Sequence, residues 1–193
     1  MRIGDIDIDV SDRKEILALF KHRNASMKLA DGTLRKHNTG VYFCDIPHFY
    51  DTLESTIDYS KAEEIGYMKI DIINNSVYRD IKTAQELHHL MRTSPDWNSL
   101  DDKNFFEKVV HINSQWKSYR ELKEKITSVA HMAMFLAIIR PGKRHLIGKT
   151  WEDISNTVWL KPDTDEYYYK KGHAISYAYT VVIHMNKLLS GRE

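Results

Sequence analysis

The segment Asp5-Ile6-Asp7-Ile8-Asp9-Val10 alternates acidic and branched apolar residues without a break. A helix would scatter both kinds around its surface. A strand sorts them, because successive side chains point to opposite faces. The pattern predicts a strand with one apolar face (Ile6, Ile8, Val10) and one acidic face (Asp5, Asp7, Asp9). Neighbours on one face lie about 7 Å apart, so three carboxylates repel unless something positive sits among them. Mg²⁺ and Mn²⁺ favour carboxylate oxygens together with waters and substrate phosphates. Two such ions about 4 Å apart can hold the attacking and leaving oxygens of a phosphoryl displacement. A third carboxylate from a neighbouring strand is expected to complete the cage. Asp71, in Met68-Lys69-Ile70-Asp71-Ile72, is the candidate. The plainer alternative is an edge strand whose acids face water.

Further along, Ser11 or Asp12 is expected to cap a helix through Ile16–Phe20. Residues 24–36 read as a loop or hairpin turning at Asp31-Gly32. Gly40–Cys44 reads as a short strand, Ser60–Ile65 as a helix stopped by Gly66, and Tyr67–Ile73 as a second core strand. Helices are predicted over Tyr78–Met91, Asp101–Val110, Lys125–Ile139, Trp151–Thr157 and Ala174–Leu189, with Arg140-Pro141-Gly142 stopping the third. These elements predict an α+β fold, and the chain shows neither repeat nor linker, so one domain over residues 1–193 is expected.

Composition narrows the function classes. One cysteine, Cys44, excludes a disulfide framework and any multi-cysteine metal site within this chain. With no base partner evident, Cys44 is expected to be a buried structural thiol. None of the His pairs considered, His88-His89 and His173/His184, has zinc-ligand spacing. Gly148-Lys149-Thr150 lacks the earlier glycine of a P-loop. The longest apolar run, Val129–Ile139, is too short to span a bilayer, and no apolar leader segment follows Met1. A cytoplasmic protein without membrane contact is expected. Net charge is only +1, yet residues 13–36 hold seven basic side chains against two acidic ones, and residues 117–149 eight against two. Such stretches either line a groove that follows a phosphate backbone or form solvated helix faces.

Five blocks carry a family resemblance in one order. Gly4–Lys14 resembles the Pro-Asp-Ile-Asp-Ile-Asp-Phe-…-Arg-Arg signature of family C bacterial replicative DNA polymerases, the polymerase III alpha subunit. Lys36-His37-Asn38-Thr39-Gly40-Val41 resembles Lys-His-Ala-Gly-Gly-Val, and Glu64–Asp71 resembles Ala-Gly-Leu-Val-Lys-Phe-Asp. Ala133–Gly142 resembles an apolar helix ending Arg-Pro-Gly-Pro. Tyr169–Ala178 resembles Phe-Asn-Lys-Ser-His-Ala-Ala-Ala-Tyr-Ala. The resemblance implies a nucleotidyltransferase-like palm, a mixed sheet covered by helices, with a reduced fingers-like part at about residues 95–170. It implies catalytic and Mg²⁺- or Mn²⁺-binding roles for Asp5, Asp7 and Asp71. Asp9 is a further acid of the signature, and Asp7–Asp9 pairing stays open beside Asp5–Asp7. Lys69 is expected beside Asp71. Arg140, Lys170, Lys171 and His173 match blocks that face nucleotide or template. His37 reads either as a structural histidine or as a substrate contact.

The chain also departs from the family. About 25 residues separate the acidic strand from the His37 block, too few for a thumb that grips duplex DNA. The region between Gly142 and Lys170 is shortened, and neither the phosphoesterase domain nor the Gly-Ser segment ahead of the acidic strand is found in the sequence. The resulting expectation is a metal-dependent nucleotidyl- or phosphoryl-transferase acting on nucleotide or DNA. It would be redirected to nucleotide or DNA modification rather than processive synthesis, and of phage or mobile-element origin. The alternative is an inactive DNA- or replisome-binding module, or a subunit whose missing polymerase parts come from a partner protein.

Overall fold

A computed structural model describes residues 6–162 and 166–192. The chain divides into two compact units, Met1–Asp80 and Ile81–Glu193. It is α+β, and the described strands all lie in the first unit.

The strands are β1 (Ile6–Val10), β2 (Arg23–Lys28), β3 (Leu34–Tyr42), β4 (Glu54–Asp58) and β5 (Ile70–Asn74). They form one sheet in the order β1-β5-β3-β2-β4. β1 and β5 are parallel, as are β2 and β4, whereas β3 runs antiparallel to both β2 and β5, so the sheet is mixed. Of the loop or hairpin expected over residues 24–36, the structure shows the hairpin, with β2 and β3 antiparallel. The segment holds all but one residue of β2 and the start of β3, and turns at Gly32 in the left-handed conformation (φ +87°) that glycine adopts without cost.

Two short helices lie on opposite faces of this sheet. α1 (Arg13–Ala18) is capped by Asp12, whose carboxylate accepts the Lys14 and Glu15 amides. Its Leu17 packs with Val41 and Ile72, and with the partly buried Val10 and Ile70. α2 (Tyr59–Glu64) is capped by Asp58, and its Ala62 packs with Ala25, Tyr42 and Ile46. Val41 and Tyr42 are consecutive in β3 and therefore serve opposite faces. Because α1 has only six residues, it reaches Val10 but leaves Ile6 and Ile8 about 40% exposed. The apolar face of β1 is thus only partly buried, and β1 is an edge strand.

The second unit is helical: α3 (Ala84–Arg92), α4 (Lys103–Phe106), α5 (Trp116–Arg120), α6 (Val129–Ile138), α7 (Trp151–Thr157) and α8 (Lys171–Leu189). α6 starts at Ser128, whose hydroxyl accepts the His131 amide, and it buries Met132–Ile138 without a break. A helix apolar on every side must be surrounded. α8 is its main packing neighbour, and Phe106, Tyr119, Leu146, Trp151 and Ile154 complete the core. Tyr169 is buried and stacks on Tyr177 with ring centroids 5.6 Å apart. Two basic groups of the 117–149 stretch have partners within the unit, one at the surface and one buried. Lys125 pairs with Asp101, and the buried Lys143 donates to the Thr157 carbonyl. Among the described residues no helix is long and apolar enough to cross a membrane.

Candidate functional site

The register of the first unit decides where the acids lie. Asp7 stands opposite Asp71 across the parallel β1–β5 ladder, and Asp71 stands opposite Gly40 across the β5–β3 ladder. Residues directly opposite share a face. Asp7, Asp9, Asp71 and Gly40 therefore share the face of Tyr42 and α2. The Val10, Ile70 and Ile72 face belongs to α1. Asp5 lies outside the described residues.

Asp71 is buried and fully engaged. Its Oδ1 accepts the Thr39 hydroxyl at 2.6 Å, and its Oδ2 accepts the Lys69 ammonium. Lys69 precedes β5, yet its side chain folds back onto Asp71, and both side chains are about nine-tenths buried. The Lys69 ammonium also lies 5.5 Å from the Tyr59 ring centroid, and the same ring meets His37 edge-on at 5.4 Å. Burial pushes the Asp71 carboxyl pKa upward. The hydrogen bonds from Lys69 and Thr39 and the positive charge of Lys69 outweigh it and hold the group below the ordinary carboxylate range. The Arg13 guanidinium belongs to the same neighbourhood. Burial lowers its pKa, the Asp71 charge opposes that, and one of its nitrogens donates to the Thr39 carbonyl at 3.4 Å.

His37 is an organiser of the strand. Its Nδ1 accepts the Gly40 amide at 2.9 Å and the Thr39 amide at 3.3 Å. The 3.6 Å from Nδ1 to Asp71 Oδ1 is therefore a close approach, not a donated bond. Asp9 accepts the Asn75 side-chain amide at 3.0 Å, which ties the end of β1 to the residue after β5.

Gly40 is required by space rather than by its torsions. A Cβ there would lie 2.8 Å from Lys69 Cδ, 3.0 Å from His37 Nδ1 and 3.1 Å from the Ala25 methyl. Ala25 is fully buried and Lys69 is anchored on Asp71, so relief requires breaking that pair. Gly40→Ala is expected to cost about 1–3 kcal/mol, and amide exchange across β3 and β5 reads it out. Unchanged protection would mean that Lys69 can move aside freely.

The remaining expected residues lie in the second unit. Arg140 follows α6, donates to the Tyr169 hydroxyl at 2.7 Å and lies 4.1 Å from that ring's centroid. Lys170 is the N-cap residue of α8, and Lys171 and His173 are in its first turn. Lys170 and Lys171 are exposed and His173 is half-buried. The structure thus gathers Asp7, Asp9, Asp71, Lys69 and His37 in one unit, and places Arg140 against the residue that precedes Lys170 in the other.

Arg13, Thr39, Gly40 and Tyr59 were missed as site residues. Arg13, Thr39 and Gly40 fall within the quoted blocks, which was the signal available; Tyr59 carries none. The oxygens of Asp7, Asp9 and Asp71 have the chemistry that hard divalent cations prefer. Asp7 and Asp71 fit as a facing pair of ligands, with the Lys69 ammonium now neutralising one of them. Among the described residues, no group of three or more His, Cys, Asp or Glu converges in a metal-binding arrangement. No protein-family model, curated protein or solved structure matches the chain.

Proposed function

We propose that the protein is a Mg²⁺- or Mn²⁺-dependent nucleotidyl- or phosphoryl-transferase acting on a nucleotide or on DNA, built on a reduced polymerase III alpha palm. The observation that carries the reading is the in-register placement of Asp7 against Asp71 on parallel neighbouring strands. A bound divalent ion would neutralise phosphate oxygens and lower the barrier to in-line displacement at phosphorus. Asp7 and Asp71 would hold it, with Asp5 as a third ligand. Thr39 and Lys69 fix the Asp71 carboxylate, and His37 fixes the backbone that carries Thr39. Once a metal takes over Asp71, the Lys69 ammonium is available to a substrate phosphate. The short spacing between Asp9 and Lys36 leaves no room for a duplex-gripping thumb. The activity is therefore assigned to modification of a nucleotide or DNA end, not to processive synthesis.

The test is transfer of label from α-³²P deoxynucleoside triphosphates to single- and double-stranded oligonucleotides, with Mg²⁺ or Mn²⁺. Covalent labelling by the native chain and background labelling by Asp7→Asn is expected. Equal labelling by both would overturn the assignment. A specific observation favours a second reading, an inactive DNA- or replisome-binding module. Asp71 is already neutralised by Lys69, and β1 is an edge strand. Oligonucleotide binding without labelling under any metal would decide for that module.

A further inference from the structure

A second feature of the first unit lies away from the carboxylates. Between residues 21–23, which lead from α1 into β2, and residues 43–45, which follow β3, there is a hollow of about 200 Å³. Lys21, His22, Arg23, Phe43, Cys44 and Asp45 line it, and none of them touches Asp71. Arg23, paired with Tyr42 in the β2–β3 ladder, anchors the hollow to the sheet, and the other five lining residues lie in the flanking loops.

The lining is electrostatically unfinished. Among the described residues neither Lys21 nor Arg23 pairs with a carboxylate. The half-buried Arg23 donates from Nη1 to the His22 carbonyl at 3.2 Å, while its buried Nε has no partner among the described residues. The His22 ring is oriented by its Nδ1, which donates to the Phe20 carbonyl at 2.9 Å. Two cations, Lys21 and Arg23, therefore line a small concave space that holds one carboxylate, Asp45. The hollow also has an apolar wall. Phe43 is 40% exposed, and the exposed Phe20 braces it edge-on at 5.7 Å. An aromatic ring held exposed beside uncompensated cations suits a ligand with a flat apolar part and an anionic end. The planar Arg23 fork together with the Lys21 ammonium matches the three terminal oxygens of a phosphate monoester better than the two of a carboxylate.

We propose that this hollow binds a small aromatic phosphate monoester, its phosphate on Lys21 and Arg23 and its ring against Phe43. The proposal does not depend on the transferase reading.

Cys44 supplies the probe. It is the one cysteine of the sequence, and it is exposed, contrary to the buried thiol expected from the sequence. It also lines the hollow, so a bound ligand should cover it. The experiment follows alkylation of Cys44 by iodoacetamide, a neutral reagent, at constant ionic strength, with phenyl phosphate as the ligand probe. Saturable slowing is expected, about tenfold at ten times Kd. Inorganic phosphate and benzyl alcohol should each protect less. Lys21→Ala, at an exposed position that leaves folding intact, should raise the phenyl phosphate concentration needed for protection several-fold. Phe43→Ala should remove its advantage over inorganic phosphate. An alkylation rate indifferent to millimolar phenyl phosphate would overturn the proposal. So would protection unchanged by Lys21→Ala, or equal protection by phenyl and inorganic phosphate in the native chain.

Discussion

Asp71→Ala is expected to destabilise the first unit by about 3–5 kcal/mol, the largest effect of any single change near the candidate site. Deleting the carboxylate leaves the Lys69 ammonium about nine-tenths buried with no counter-ion, and takes from the Thr39 hydroxyl its acceptor at 2.6 Å. Replacing Lys69 and Asp71 together by Met and Leu removes both charges. It should restore much of the loss, because a buried pair costs far more when half of it is deleted than when all of it is. The four tryptophans, Trp97, Trp116, Trp151 and Trp159, all lie in the second unit. Tryptophan fluorescence therefore has no reporter within the first unit. Amide exchange at β3 and β5 reports the change, and protection equal to the native chain would show that Lys69 reaches water once released. The pair also sets an acid limit. Asp71 titrates below its ordinary value in the folded chain. Its contribution is complete above the unfolded carboxylate pKa of about 3.9 and is lost as pH falls through the lowered folded value. Asp71→Ala should remove that component of the acid transition.

Phe135→Ala is the matching test in the second unit. Phe135 is fully buried in α6 and meets the Tyr119 ring edge-on at 6.2 Å. The residues around it, on α5, α6 and α8, belong to one continuous core. That core cannot collapse into the vacated space without moving a whole helix, so a loss of about 3–5 kcal/mol is expected. Urea unfolding followed by tryptophan fluorescence measures it directly. A loss below about 1 kcal/mol, the scale of a volume-conserving swap, would mean that α6 is not packed on all sides.

Much of this architecture was legible where periodicity and burial agree. The Asp-Ile alternation marks β1, the apolar run marks α6, Asp12 and Ser128 cap as their residue types require, and Gly66 stops α2 with a positive φ of 97°. Polar strand was less legible: β2 was open between loop and hairpin, and β4 was not expected at all. β2 reads Arg-Asn-Ala-Ser-Met-Lys, with only Ala25 and Met27 alternating, and β4 reads Glu-Ser-Thr-Ile-Asp, with Ile57 its one large apolar residue. They hold because β2 pairs with both β3 and β4, and because the buried Ser26 hydroxyl donates to the Ser55 carbonyl at 2.6 Å. Such satisfaction depends on the partner strand and leaves no periodic trace. Helix ends shifted for a related reason. Asn75 caps a 3₁₀ turn at Ser76–Tyr78, so α3 begins only at Ala84, after the cap at Thr83.

The candidate site was legible to a similar degree. Lys69 two residues before Asp71, and Asp7 two before Asp9, give the same-face groupings from spacing alone. That Asp7 meets Asp71 follows from the β1–β5 register, which no local pattern fixes. Tyr59 arrives through β4, an unrecognised strand, so its place beside Lys69 and His37 had no local signal. The hollow at Lys21–Arg23 is formed by segments about twenty residues apart, and it exists only once β2 pairs with β3.

The most direct measurement is calorimetric titration of Mn²⁺ into the full chain near neutral pH, for the native protein and Asp7→Asn. If Asp7 and Asp71 jointly hold a divalent cation, the native chain gives a saturable isotherm, and Asp7→Asn weakens it by at least about tenfold. An absence of saturable heat from the native chain, or the same isotherm from both proteins, would contradict it.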